Sequence, residues 1–165
     1  MTARAWVFGD DLDTDQMVPG RYAPFMVGQD KFHLYTFCDA RPGFAKEVQP
    51  GDVLVGGENF GCGSSREYAV AALKRLGIGG IVAKSFARIF FRNCINLGIP
   101  VLESADALSL VRDGDAVALD LAAGLLRGPN GDAPLRPIPH FAQVILAAGG
   151  VVSYLREHGD FPEIS

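Results

Sequence analysis

A short glycine-rich segment, residues 58–68 (ENFGCGSSREY), holds the side chains of this 165-residue chain that are best suited to chemistry. The Ser64 hydroxyl and the Arg66 guanidinium stand between a predicted strand and a predicted helix. Unpaired backbone N–H groups and the positive end of the helix dipole attract anions at such a turn. Gly61 and Gly63 permit positive φ or close backbone approach, which a simple helix start does not need. The segment therefore predicts an anion-binding turn.

A structural interpretation of the same residues stays open. Ser64-x-x-Glu67 fits a capping box, in which the serine hydroxyl and the glutamate each accept a backbone N–H. Ser65 could cap the helix instead and leave Ser64 pointing outward. A Walker-type phosphate loop is excluded, because the segment lacks the Gly-Lys-Ser/Thr ending. On motif grounds alone the cap is favoured, and the glycines shift the balance towards chemistry.

A second polar segment, GDDLDTDQMVP (residues 9–19), alternates aspartates as calcium loops do. Gln16 stands where an EF-hand needs glycine and Tyr22 where it needs a bidentate glutamate, so no calcium site is predicted. One alternative is a turn held by side-chain-to-backbone hydrogen bonds. The other is a supporting role beside a binding site.

The elements that must position these residues are clearest between residues 52 and 103. Hydrophobic periodicity predicts strands at 52–57, 80–83 and 99–103, with helices at 66–77 and 85–98 between them. Strand–helix alternation implies parallel strands joined by crossovers. The inward faces of the two helices are predicted to carry Tyr68, Ala69, Ala72, Leu73 and Leu76, and Phe86, Ile89, Phe90, Cys94 and Leu97.

The two ends of the chain carry weaker signals. Residues 115–127 predict a hairpin, and residues 140–150 and 151–159 predict terminal helices. The proline-rich residues 128–140 are expected to lead into the first of these helices. The N-terminal third is expected to be irregular and rich in turns.

Composition limits the classes of function. With 165 residues and 48% hydrophobic residues, the chain is expected to form one domain, residues 1–165. A net charge of −4 argues against nucleic acid as the main partner. The acidic N-terminal segment is neither a signal peptide nor a membrane span, so the cytoplasm is the expected location.

Metal-ligand patterns are not evident in the sequence. Cys38, Cys62 and Cys94 are odd in number and form no CxxC pair, and the three histidines have no ligand spacing. We therefore expect this chain to bind no metal itself, and the roles of the cysteines stay undetermined.

The segment KSFARIFFRN mixes aromatic and basic residues, which invites an RNA-stacking interpretation. On a helix, however, the phenylalanines would face the core while Lys84, Arg88 and Arg92 would follow i, i+4 spacing on another face. A solvated or partner-facing cationic face is therefore preferred. Lys84 is also expected near the site, at the end of the strand that carries it.

Three segments carry a family resemblance: DLDTDQMVPGRY, GENFGCGSSREYA and AKSFARIFFRNCINLGIPVLE. In this order and separation they resemble the small subunits of 3-isopropylmalate dehydratase and homoaconitase, which correspond to the swivelling C-terminal domain of aconitase. The resemblance implies an α/β fold, a swivelling β/β/α domain with a small mixed sheet flanked by helices. It also implies a hydro-lyase subunit that is active only with a large subunit carrying a [4Fe–4S] cluster. The implied substrate is a small dicarboxylic or tricarboxylic 2-hydroxy acid.

The resemblance also assigns roles to residues. Ser64 would be the catalytic base, Arg66 and Ser65 would bind the substrate, and Arg66 would clamp a substrate carboxylate. Cys62 stands where aconitase has an acidic residue and is expected to be small and buried, not a cluster ligand. A supporting role is implied for Asp15, Thr14, Gly61, Gly63 and Lys84.

The segment RYAPFM (residues 21–26) bears on the substrate, because residues after the tyrosine reach the distal substrate group in the resembled family. Tyr22 is followed by apolar residues including Phe25, which favours the isopropyl group of isopropylmalate over a carboxylate. Arg21 could turn inward, and homoaconitase is then the alternative. A surface turn without substrate contact, and an anion- or RNA-binding regulatory module without catalysis, also stay open.

Overall fold

The structure is a computed structural model that describes residues 2–163. These residues form one mixed sheet of seven strands. The strands are β1 (Ala3–Val7), β2 (Val53–Gly56), β3 (Gly80–Ala83), β4 (Val101–Glu103), β5 (Ala116–Asp120), β6 (Leu125–Gly128) and β7 (Gly131–Pro134). Their order in the sheet is β4-β3-β2-β1-β5-β6-β7, with the first four parallel and the last three antiparallel. The α/β fold with a mixed sheet and flanking helices is confirmed.

The helices of this part of the chain are either single turns of four residues or longer packed helices of 8 to 10 residues. They are α1 (Thr14–Met17), α2 (Pro24–Val27), α3 (Phe44–Glu47), α4 (Glu67–Arg75), α5 (Arg88–Leu97), α6 (Ala107–Leu110), α7 (His140–Ala147) and α8 (Val151–His158). Two 3₁₀ turns lie at Gly20–Tyr22 and Phe32–Tyr35. No helix within residues 2–163 is both long and apolar enough to span a bilayer.

Both faces of the parallel strands are buried. On β2, Leu54 faces a cluster shared with α4, α5 and α7, whereas Val53 and Val55 face a cluster shared with α6 and the β5–β7 strands. Successive side chains point to opposite faces of a strand, so burial on both sides requires a continuous apolar run. The run VLV in β2 meets this requirement.

The helix predicted at 85–98 begins later than expected, at Arg88. Phe60 and Phe86 form an isolated bridge, and the Ala87 N–H donates to the Phe60 carbonyl at 3.0 Å. The chain is therefore extended up to Ala87. The inward orientation predicted for Ile89 is wrong, since this residue is 53% exposed.

The prediction of an irregular N-terminal third is wrong for β1, which lies at the centre of the sheet. Its buried Trp6 donates its indole N–H to Asp52 at 3.0 Å. Asp52 also accepts the backbone N–H groups of Arg4 and Gln49, so this buried carboxylate is fully engaged. The buried pair ties β1 to the start of β2.

At the C-terminal end the predicted hairpin is confirmed as β5 and β6, and the two terminal helices are confirmed as α7 and α8. The proline-rich residues 128–140 do lead into α7. They also contain β7, which the sequence analysis did not predict.

Candidate functional site

The candidate site lies where the parallel strands β1, β2 and β3 end. Three loops follow these strands, and the middle one, residues 57–66, is bonded to both neighbours. Its Gly61 N–H donates to the Leu12 carbonyl at 2.8 Å, and its Phe60 N–H donates to the Ser85 carbonyl at 3.0 Å. The carboxyl edge of a parallel sheet is the usual ligand-binding position in open α/β folds.

Two glycines give the middle loop its shape, as the sequence predicted. Gly61 has a φ of +83°, and a Cβ there would lie 2.1 Å from the Phe90 ring. Gly63 has a φ of +94°, and a Cβ there would lie 3.3 Å from the Asp13 Cβ. A side chain at Gly61 would displace the core phenylalanine beneath the loop.

The Ser64 hydroxyl contacts Arg66 and does not cap helix α4. The Arg66 Nε–H donates to the Ser64 Oγ at 2.8 Å. Helix α4 begins at Glu67 with Arg66 as its N-cap, and no side chain caps it. The capping-box interpretation of Ser64 and Glu67 is therefore wrong, and Ser65 does not cap the helix either.

The Arg66 guanidinium also has partners at its Nη1 nitrogen. Its Nη1 lies 3.0 Å from the Asp15 Oδ1 and donates to the Tyr68 hydroxyl at 2.8 Å. Asp15 also accepts the Gly20 N–H at 3.2 Å. The arginine side chain is only 25% exposed. The structure thus brings Ser64, Arg66 and Asp15 together, as the sequence analysis expected.

The aspartate-rich segment, residues 9–19, supports the Ser64 turn through a hydrogen bond. The buried Thr14 donates its hydroxyl to the Ser64 carbonyl at 2.8 Å. Asp13 caps α1 in a capping box with Gln16, so a side-chain-to-backbone turn is also present. The side-chain-to-backbone turn is therefore confirmed at Asp13, and Asp15, two residues on, reaches Arg66.

A cleft of about 500 Å³ opens between the turn and the N-terminal end of α5. Arg88, Asn93 and Asn59 line it, and sequence reasoning did not place them there. The approach of Arg88 and Asn93 to the turn depends on where α5 begins, and the predicted helix at 85–98 began three residues too early. The lining residues are Thr14, Asn59, Gly61, Gly63, Ser64, Ser65, Arg66, Phe86, Ala87, Arg88, Ile89, Phe90 and Asn93.

Lys84 lies apart from this cleft. It follows the end of β3, is exposed and does not line the cleft, although its backbone N–H donates to the Gly57 carbonyl at 3.0 Å. The prediction that Lys84, Arg88 and Arg92 share one helix face is wrong for Lys84, because α5 begins only at Arg88.

Residues 20–39 form a segment that we call the rim, and it carries Arg21, Tyr22 and Phe25. None of these three residues lines the cleft. Arg21 pairs with Asp39 at 2.5 Å, and Tyr22 stacks on Tyr35 with the ring centroids 4.1 Å apart. The hydrogen bond to Asp39 raises the pKa of Arg21 further above its normal value. Phe25 is 83% exposed.

The three cysteines are free thiols. Cys62 is partly exposed, so its expected full burial is wrong. Desolvation raises the pKa of the Cys62 thiol, and the nearby Asp13 and Asp11 add to this effect, so the thiol stays protonated at neutral pH. Within residues 2–163, no three histidine, cysteine or carboxylate side chains come together as a metal-binding group.

The fold and the site together define a class: a swivel-type α/β domain whose parallel strands end at a serine–arginine turn. The chain belongs to the aconitase C-terminal domain family, which matches residues 14–107. The resemblance inferred from the three sequence segments is thereby confirmed.

Curated relatives and a solved structure cover nearly the whole chain. The homoaconitase small subunit of Thermus thermophilus is 55% identical over 96% of this chain and 98% of its own length. A 3-isopropylmalate dehydratase small subunit of Deinococcus radiodurans is 53% identical over 96% of this chain and 89% of its own length. The crystal structure of 3-isopropylmalate dehydratase from Methanocaldococcus jannaschii matches with a TM-score of 0.86 and 40% identity, over 96% of this chain and 94% of that one.

Proposed function

We propose that this chain is the small subunit of a heteromeric hydro-lyase of the 3-isopropylmalate dehydratase type. The enzyme would interconvert 2-isopropylmalate and 3-isopropylmalate by dehydration and rehydration, in leucine biosynthesis. Relatives that carry this name support the proposal, as does the Ser64–Arg66 contact at the ends of the parallel strands. The chain would act in the cytoplasm as one swivelling domain.

Ser64 is the base in this proposal. As the alkoxide, its oxygen would take the proton from the carbon beside a substrate carboxylate and become a hydroxyl, while hydroxide leaves the adjacent carbon and a double bond forms. Hydroxide would then add to the carbon that lost the proton, and the Ser64 hydroxyl would return its proton to the carbon that lost hydroxide. A serine is a weak base at neutral pH, so its alkoxide needs stabilisation. The Arg66 Nε–H, 2.8 Å from the Ser64 Oγ, is placed to provide it.

Arg66 would also bind the substrate carboxylate. Its Nε is engaged by Ser64, and its Nη1 by Asp15 and Tyr68. Residues 2–163 offer no hydrogen-bond partner to its Nη2, which leaves this nitrogen available to an incoming anion. A charge-assisted hydrogen bond from a guanidinium already held in place loses little conformational entropy on binding.

A [4Fe–4S] cluster would be held by a large partner subunit. Residues 2–163 hold no group of three histidine, cysteine or carboxylate side chains that could bind such a cluster. When bound in the partner, the cluster would supply a Lewis acid for the departing hydroxyl group. The partner would face the cleft beside Ser64, which is exposed on this chain.

The proposal is tested by co-expressing the chain with a candidate large subunit under anaerobic conditions and measuring hydration and dehydration of isopropylmalate. The Ser64→Ala complex should assemble and show no turnover. The Ser109→Ala complex is the control, because Ser109 is also an exposed serine but lies in α6 and does not line the cleft, and it should keep most activity. Normal turnover by Ser64→Ala would contradict the role of the serine.

Homoaconitase is a second candidate, which would convert cis-homoaconitate to homoisocitrate in lysine biosynthesis. Two observations favour it: the 55% identity to the Thermus thermophilus subunit and the presence of Arg21 one residue from the Gly20 that lies against Arg66. The same complex assayed with homoisocitrate distinguishes the two substrates.

A further inference from the structure

A second arginine, Arg21, follows a glycine that packs against the Ser64 turn. Gly20 packs against Arg66 so closely that a Cβ at Gly20 would lie 3.1 Å from the Arg66 Nη1. The Gly20 N–H also donates to Asp15, the carboxylate that pairs with Arg66. The backbone of Arg21 therefore lies next to Arg66, the arginine proposed to bind an anion.

The Arg21 side chain is held by its own segment. Its Nη2 lies 2.5 Å from the Asp39 Oδ2, and its guanidinium lies 4.7 Å from the centroid of the Tyr22 ring. Tyr22 in turn stacks on Tyr35 with the planes 4° apart. Asp39 thus occupies the position that a ligand carboxylate would take on Arg21.

This ion pair is open to competition. The side chains of Arg21 and Asp39 are 55% and 60% exposed, whereas Arg66 is 25% exposed and has three partners. Solvent screens an exposed pair, and exposed pairs contribute little to stability. A substrate carboxylate at this rim could therefore replace Asp39 without disturbing the fold.

We propose that Asp39 is a positioning residue for substrate specificity, acting through Arg21. While Asp39 holds Arg21, residues 21–26 offer no unpaired cation, and a substrate with an apolar distal group is favoured. Without the Asp39 carboxylate, Arg21 is free to pair with the third carboxylate of a tricarboxylic acid. The inference rests on the proposed function, because it concerns the distal group of the same substrate.

The test compares kcat/KM for homoisocitrate and isopropylmalate in the assembled complex. Asp39→Asn should raise the ratio in favour of homoisocitrate about tenfold, mainly through a lower KM for the tricarboxylic acid. Asp39→Glu, which keeps the carboxylate, should stay near the wild-type ratio. Adding Arg21→Ala to Asp39→Asn should remove the gain. An unchanged ratio in Asp39→Asn, or a gain that persists without Arg21, would overturn the inference.

A binding measurement separates this inference from the proposed function. The full chain is titrated with tricarballylate and with glutarate, which differ by one carboxylate and need no turnover. Asp39→Asn should bind tricarballylate more tightly and glutarate as before. If the wild-type complex turns over neither acid, the proposed function fails while the titration still decides on Asp39. Equal affinity of Asp39→Asn and wild type for tricarballylate would contradict the role inferred for Asp39.

Discussion

Arg66 and Arg21 carry the same guanidinium group, and the protein holds them differently. Arg66 lies in a turn whose backbone is bonded to loops on both sides, and its side chain contacts Ser64, Asp15 and Tyr68. Arg21 lies on the rim segment, residues 20–39, and has one carboxylate and one aromatic ring as partners.

The difference follows from what lies beneath each segment. The turn rests on Phe90 through Gly61, so it has little freedom to move. The rim exposes Phe25, Met26 and Leu34, and these exposed side chains can reorient at low cost. Chemistry that depends on fixed distances suits the turn, whereas discrimination between substrates suits the rim. Substitutions in matched pairs test this distinction.

The largest effect is expected for Gly61→Ala. The new Cβ would meet the Phe90 ring at 2.1 Å in a backbone with φ +83°, and strain and overpacking together should cost about 3 kcal/mol or more in the free energy of unfolding. Gly114→Ala is the control, because Gly114 has φ +88° with nothing within 4 Å of its Cβ position, and it should cost only about 1 kcal/mol. Thermal unfolding of both chains measures the difference. Equal losses would show that the turn is not tightly packed.

A second large effect is expected for Arg66→Lys. Lysine keeps the charge but cannot contact Ser64, Asp15 and Tyr68 together, so kcat/KM of the complex should fall about 100-fold. Arg21→Lys keeps a cation opposite Asp39 and should change kcat/KM for isopropylmalate less than about threefold. The steady-state kinetics of both complexes check this. Similar losses for the two variants would remove the functional distinction between turn and rim.

The sequence predicts residues 52–103 well because its signals there are local. Apolar periodicity and the stop at Gly98 indicate strands and helices without knowledge of distant partners. β1 was missed because it is short and its partners, β2 and β5, begin 50 and 113 residues after its first residue. Trp6 lies at the centre of the sheet only because β2 and β5 pair with β1 on its two sides.

The site was predicted in part for a similar reason. Ser64, Arg66 and Asp15 belong to segments that the family resemblance identifies, and the structure brings them together. The direction of the Ser64 hydroxyl was not predictable, because a capping box and an outward turn share the same residue types. Arg88 and Asn93 were missed, since their approach to the turn depends on where α5 begins.

A smaller effect is expected for Thr14→Val. The substitution removes the hydroxyl that donates to the Ser64 carbonyl at 2.8 Å and should cost about 1 kcal/mol of stability and about tenfold in kcat, because Ser64 loses its support. Thr36→Val is the matched control on the rim. Thr36 is also buried and donates to a carbonyl, that of His33, at 2.7 Å. It should lose similar stability and keep its activity, and parallel losses of activity would contradict the special role of the turn.

The smallest effect is expected for Phe25→Ala. Because Phe25 is 83% exposed, its removal should change the free energy of unfolding of the isolated chain by less than about 0.5 kcal/mol. In the complex, Phe25 would contact the isopropyl group, so KM for isopropylmalate should rise about fivefold while KM for homoisocitrate stays unchanged. Leu34→Ala, another exposed apolar residue of the rim, should alter neither value. An unchanged KM for isopropylmalate in Phe25→Ala would show that Phe25 belongs to a surface turn without substrate contact.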